Sequence, residues 1–319
     1  MVGETVRSGS LDAASPVADN LDSAATPVLP GGRLMLRLLI PACLIVAVAS
    51  GLAGGADPPP LKGLLITGGC CHDYTTQKRI ITEGLSQRAN IVWDVVHEGG
   101  ESRDHKVSVY EQKDWARRYD VIVHNECFGA TSDETFVKSI VAHHEGVPAV
   151  FIHCSLHSYR NSGAADAWRE LIGVTSRSHE KQRPLKVVNV QPEHPVMRGF
   201  PAVWQTPNGE LYKIEHHWPN CTPLAQAYGE DTRQDHTCIW TNVYGGTRVF
   251  GISLGHHNET MNTDEWLGVT ARGLLWACGK LNDDGTPAAG YAGTGLRPIL
   301  LGPPQPEVDP KFTPPSQSK

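Results

Sequence analysis

The chain has 319 residues, 19% of them charged and 40% hydrophobic, with a formal net charge of −6. That balance is ordinary for a folded chain and excludes a wholly disordered protein, a coiled coil or a collagen-like rod. No Lys/Arg-rich block is present, so nucleic acid is not an expected partner.

Residues 1–32 are rich in Ala, Ser, Asp, Pro and Gly and have no apolar period. Arg33, Met35 and Arg37 then precede a 12-residue apolar core, LLIPACLIVAVA, and a small-residue stretch. A basic start, a short apolar core and a small-residue end describe a secretory signal, with cleavage after Ala49, Ala53 or Ala56. A membrane anchor is the rival reading, but the core is short for a bilayer of about 30 Å and Pro41 interrupts it. The expectation is therefore an N-terminal extension and signal over 1–56 and a periplasmic or secreted protein without a membrane span after cleavage. Met1 and Met35 both remain open as the true start.

In chain order, 62–67 (KGLLIT) reads as a buried strand ended by Gly68-Gly69. The periodicity predicts a helix over 76–89, with Ile80, Ile81 and Leu85 on one face. IVWDVVH (91–97) and the run 121–124 are the second and third strands. Thr131-x-x-Glu134 reads as a capping box opening a helix that carries Phe136, Val137, Ile140 and Val141. PAVFIH (148–153) is the fourth strand, and another helix is predicted over 164–172. Apolar strands alternating with amphipathic helices indicate βαβ units and a parallel sheet covered on both faces. Further strands are predicted at 184–190, 211–214, 224–227, 237–243 and 247–254, the last two joined by a turn. A final helix over 262–278, capped through Asn262-x-x-Glu265, carries Trp266, Thr270, Leu274 and Cys278 as one stripe and ends at Gly279. Residues 281–319 hold eight prolines and read as a disordered tail. The folded domain is thus expected over 57–280.

In an open parallel sheet, ligands bind beyond the carboxyl ends of the strands. Gly68-Gly69-Cys70-Cys71-His72-Asp73 follows the first strand, and His124-Asn125-Glu126-Cys127 ends the third. His153, Cys154, Ser155 and His157 follow the fourth, and Gly255-His256-His257 follows the last hairpin. The chain has 15 histidines, and imidazole serves as acid, base or metal ligand near neutral pH. The topology predicts that His72, His153 and His256 meet at one sheet edge, with Glu126 or Asn125 facing the same space. No dinucleotide fingerprint or P-loop follows the first strand. Three chemistries fit: a divalent metal such as zinc held by loop histidines with Glu126, the same residues as metal-free acid/base or hydrogen-bonding groups, and a thiol mechanism on Cys154 with His257 and Glu259. Of the eight cysteines, seven remain after cleavage of the leader, so at least one is unpaired in an exported chain. Cys221 with Cys238 is a candidate bridge.

Taken together these loop motifs resemble the ThuA family, named for trehalose utilisation. The resemblance runs from about Lys62 to Lys280. It is carried by Gly68, Gly69, His72 and Asp73, by IHCSLHS, by His194-Pro195-Val196-x-x-Gly199, by Glu210-Leu211-Tyr212, by Leu254-Gly255-His256 and by Leu275-Trp276-Ala277. It implies a fold like that of class I glutamine amidotransferases, a flavodoxin-like three-layer α/β/α sandwich with a mostly parallel sheet and a C-terminal β-hairpin and helix. It also implies a small-molecule carbohydrate ligand, trehalose-like or a 3-keto disaccharide. The ending VFGISLGHHNE resembles the amidotransferase strand that delivers His-x-Glu, although the ThuA histidine aligns with His256 rather than His257. The expected catalytic set is His72, Glu126, His153 and His256. Asp73, Asn125, His157, Glu210, Tyr212 and Trp240 are the expected substrate-binding residues. A non-catalytic sugar-binding module and a Cys-His-Glu hydrolase are the alternatives, and the oligomeric state is open.

Overall fold

The computed structural model describes residues 57–299; the candidate leader over 1–56 and residues 300–319 lie outside the described residues. The strands are Leu61–Gly69 (β1), Ile91–His97 (β2), Val121–Cys127 (β3), Ala149–Ile152 (β4), Val174–His179 (β5), Lys186–Asn189 (β6), Val203–Gln205 (β7), Tyr212–His217 (β8), Thr222–Gly229 (β9), Gln234–Tyr244 (β10) and Thr247–Ile252 (β11). The helices are Tyr74–Ser86 (α1), Glu134–Ala142 (α2), Ala165–Ile172 (α3), Asn258–Met261 (α4) and Asp264–Ala277 (α5).

Nine strands form one sheet in the order β2-β1-β3-β4-β11-β10-β9-β6-β7. The first five run parallel, and β10, β9, β6 and β7 extend the sheet antiparallel. β5 and β8 pair separately as a two-stranded antiparallel sheet. The period-two alternation of side chains sorts each central strand onto two cores. Leu65, Val150, Ile152 and Phe250 pack with Ile80, Ile81 and Leu85 of α1 and Leu274 of α5. Leu64, Ile66 and Phe151 pack on the opposite face with Val137 and Ile140 of α2 and Trp168 and Leu171 of α3. This is the three-layer α/β/α arrangement that the apolar runs predict. Among the described residues, no helix is long and apolar enough to cross a membrane.

Several local expectations are corrected. The helix after Thr131 is capped by Asp133, whose carboxylate accepts from the Phe136 amide, so Thr131 is not the cap. Likewise Thr263, not Asn262, caps α5 by accepting from the Trp266 amide. β5 and β7 are strands without an apolar run to mark them in the sequence; β5 is VTSRSH with three exposed residues. The stretch 281–299 is not a free tail. Its backbone bonds α1 and the following loop through Asn90 N–H to Tyr291 O and Thr294 N–H to Ser86 O, and Ile299 joins the α1/α5 core. Cys221 and Cys238 do not bridge, because they pack on opposite faces of the sheet. The only disulfide among the described residues joins the neighbours Cys70 and Cys71.

Trp240 is fully buried in the α2/α3 core, and its indole N–H donates to Ile172 O. It lies opposite Gly251 across the β10–β11 ladder, and a Cβ there would stand 2.1 Å from the indole. Gly251→Ala therefore forces overpacking, which costs about 1–3 kcal/mol. A lowered urea midpoint at unchanged slope is expected; a variant as stable as the parent would contradict this packing.

Candidate functional site

Parallel strands place their following loops at one edge, and four of them converge here. β1 leads into Cys70, Cys71 and His72; β3 ends at Cys127; β4 leads into His153; β11 leads to His256. The small β5–β8 sheet supplies His179 and Tyr212, which are register partners, and Glu210 just before β8. All of these but His153, which is buried beside them, line a cavity of about 800 Å³ with Arg103, Arg160 and Gln182 at its wall.

The three histidines predicted to meet do so. Ring centroids are 4.9 Å apart for His72–His153, 4.7 Å for His72–His256 and 5.6 Å for His153–His256. The fourth member is Glu210: one ligand atom from each of these four residues lies within 4.8 Å of all the others. His72 Nε2 is 3.0 Å from His256 Nδ1, and Glu210 Oε2 is 3.3 Å from His153 Nε2 and 3.5 Å from His256 Nδ1.

Each imidazole is oriented from behind. His153 sits at φ 42°, where β4 turns into a 3-10 turn, and its Nδ1–H donates to Ser253 O at 2.6 Å. Gly255 permits this approach, since a Cβ there would lie 2.8 Å from the His153 Cβ. The Tyr74 hydroxyl donates to Cys70 O and lies 3.3 Å from His72 Nδ1, which donates to it. His72 Nε2 is thereby left as a lone pair facing the cluster. Gln182 Nε2 stands 2.9 Å from His256 Nε2.

Burial, followed by His153 and His256, pushes His72 well below 6.5. Burial also lowers His153, partly opposed by Glu210. At Glu210 burial would raise the carboxyl, but His153 and His256 outweigh it and hold it well below the usual carboxylate range. The centre is therefore an ionised carboxylate among imidazoles, two of which burial keeps neutral. His153 Nε2 is buried and makes no hydrogen bond among the described residues.

The remaining expected residues fall into three places. His157 and Tyr212 line the cavity, stacked in parallel with centroids 4.1 Å apart. Asp73 and Asn125 support the site from behind. Asp73 caps α1 by accepting from the Thr76 amide and holds Asn258 Nδ2. Asn125 Nδ2 donates to Gln77 Oε1, and Gln77 Nε2 in turn donates to Gly255 O. Glu126 and Trp240 do not reach the cavity. Glu126 projects to the α2/α3 face, where its carboxylate takes the Tyr110 hydroxyl at 2.8 Å and pairs with His124 Nδ1 at 2.9 Å. His124 in turn meets the buried His144. His179 escaped the sequence reading. Its Nδ1 is 3.2 Å from Glu210 Oε1, and it is half-exposed into the cavity. Its only signal is the alternation of β5, which is hard to read in so polar a strand.

Burial first, then His153 and Arg160, lower His157 to about 3. An unfolded chain protonates this imidazole near 6.5, so between about pH 3 and 6.5 it binds a proton that the folded state refuses. Stability from His157 is full above pH 6.5 and falls with pH, by at most about 1.4 kcal/mol per unit in that window. The His157 imidazole resonances are expected to stay fixed from pH 8 to 5; a midpoint near 6.5 would contradict the burial.

Comparison with known proteins follows the same lines. The family model ThuA, trehalose utilisation, matches residues 74–277. No curated protein matches the sequence. Among solved structures, a ThuA-like protein from Parabacteroides merdae superposes with a TM-score of 0.58 at 18% identity, covering 72% of this chain and 97% of that one. A ThuA-like protein from Bacteroides uniformis gives 0.53 at 18% identity, with 70% and 95% covered. Sequence match, flavodoxin-like fold and motif order agree, and the chain belongs to the ThuA family.

Proposed function

We propose that the protein acts on a small carbohydrate, such as a 3-keto disaccharide, at a divalent metal centre held by His72, His153, Glu210 and His256. The observation that carries this reading is the spacing of the four ligand atoms. Tetrahedral ligands about 2.1 Å from zinc stand about 3.4 Å from one another; three of the contacts here are 3.0, 3.3 and 3.5 Å, and the four ligand atoms all lie within 4.8 Å of one another. The pairing of His153 Nε2 with Glu210 Oε2 supports it further. His153 spends its proton on Ser253 O, so two acceptors face each other across 3.3 Å. A cation between them satisfies both.

His72, His153, Glu210 and His256 would hold a divalent cation that would supply polarisation of a sugar carbonyl or hydroxyl oxygen and so acidify the adjacent C–H or O–H. The chain's own residues supply the rest. Arg103, Arg160 and Gln182 present hydrogen-bond donors to sugar hydroxyls, and the Tyr212–His157 stack makes a flat wall. His179, half-exposed beside Glu210, is placed to take the proton. Glu126 is not, because its carboxylate is engaged behind the sheet. A thiol mechanism is poorly served: burial, then Cys127, push the Cys154 thiol well up. A protonated thiol is a weak nucleophile.

Metal analysis of protein dialysed against micromolar zinc should find one ion per chain, lost in His153→Ala and Glu210→Ala. Tyr74→Phe, which removes the hydroxyl that orients His72 through Nδ1 but no ligand atom, should weaken zinc binding by about 10–100-fold. Incubation with 3-keto and ordinary disaccharides, followed by mass spectrometry, reads the reaction. Undiminished turnover in Glu210→Ala defeats the metal reading, and bound sugar without product makes the chain a binding module.

A further inference from the structure

The sulfur-bearing corner of the cavity is used by none of this chemistry. Cys70 and Cys71 form a disulfide between adjacent residues in the loop leaving β1, immediately before His72. Gly69 is the register partner of Cys127 in the β1–β3 ladder. That pairing brings the free Cys127 beside the disulfide, and the three sulfurs lie within 4.8 Å of one another. All three cysteines line the cavity, and Tyr74 and Cys154 pack around Cys127. Cys71 holds φ 87°, a region non-glycine residues seldom occupy and one that gathers at functional sites.

We propose that reduction of the Cys70–Cys71 disulfide converts this corner into a three-thiolate site, Cys70–Cys71–Cys127, for one soft cation. The oxidised protein offers one thiol there, since the other two sulfurs are bonded to each other. A small dithiol supplies two electrons and two protons and becomes its own disulfide, leaving three thiols. A soft divalent or monovalent ion then displaces their protons to solvent and takes three sulfur ligands. Thiolates around one zinc-sized ion, at about 2.3 Å each, stand about 3.8 Å apart, which the present grouping meets with a small adjustment. Sulfur selects soft ions, whereas the His/Glu centre has harder nitrogen and oxygen donors. The two sites are therefore chemically distinct, although they share a loop.

The test uses the full chain and cadmium as the probe. Alkylation under denaturing conditions should add two more groups after dithiol reduction than before it, because one disulfide is opened. Anaerobic titration of the reduced protein should give a sulfur-to-cadmium charge-transfer band that saturates at one equivalent and is absent from the oxidised protein. Cys71→Ser and Cys127→Ser should each abolish the saturating band, with thermal melts confirming that at least the more exposed Cys71→Ser remains folded. His153→Ala should retain it, which separates this site from the imidazole centre. Equal alkylation before and after reduction overturns the proposal. So does a band that survives Cys71→Ser in folded protein, or one lost in His153→Ala.

Discussion

The arrangement of the cavity turns on one contact, the approach of His153 Nε2 to the Glu210 carboxylate at 3.3 Å. Both groups are buried, and each faces the other as an acceptor once His153 has given its proton to Ser253 O. An acceptor pair away from water is costly unless a proton or a cation lies between. A proton on His153 is opposed by burial, which holds that imidazole down. The same burial keeps His72 neutral, while Glu210 is held ionised, well below the usual carboxylate range. The site thus accumulates lone pairs and one negative charge in a confined volume, the electrostatic form of a cation-binding centre.

The fold makes that accumulation affordable by distributing its parts over rigid elements. His153 and His256 follow neighbouring parallel strands, β4 and β11, so their separation is set by the ladder between those strands. His72 follows β1 and is held by Tyr74 at the start of α1. Glu210 arrives from outside the main sheet, just before β8 of the separate β5–β8 pair. Behind these groups, Asn125, Gln77 and the Gly255 carbonyl form a buried chain of hydrogen bonds from β3 to the His256 loop. Mislocation of one strand would move one ligand, but the shared ladder makes such movement costly for the whole edge.

Much of this was legible in the sequence because buried parallel strands are continuous apolar runs, and the loops that follow them share one edge. That rule brings His72, His153 and His256 together without any knowledge of the side-chain contacts. It does not assign faces within a strand end. His124, Asn125 and Glu126 alternate across β3, so Asn125 turns toward α1 while Glu126 pairs with His124 on the far side. The alternation was available in the sequence; which face held the cavity was not. Trp240 shows the same limit. An aromatic residue on a strand fits a sugar platform or a core equally well, and only the space over Gly251 decides for the core. His179 and residues 281–299 were hidden for another reason. Neither carries an apolar period, and both are ordered by tertiary pairing.

The loop between β1 and α1 carries two chemistries in consecutive residues, sulfur at Cys70 and Cys71 and nitrogen at His72. Tyr74 joins them: its hydroxyl donates to the Cys70 carbonyl and receives the His72 Nδ1 proton, while its ring packs against Cys127 and Cys154. A change in the sulfur corner that shifts the Cys70 carbonyl must therefore either break the Tyr74 hydrogen bond or carry the hydroxyl with it. In the second case His72 Nε2 moves relative to His256, and the spacing that suits a cation at the imidazole centre changes. The coupling needs no long path, because one phenol is in contact with both sets of donors. Its direction follows from geometry: whatever fixes the Cys70–Cys71 loop also fixes the orientation of His72.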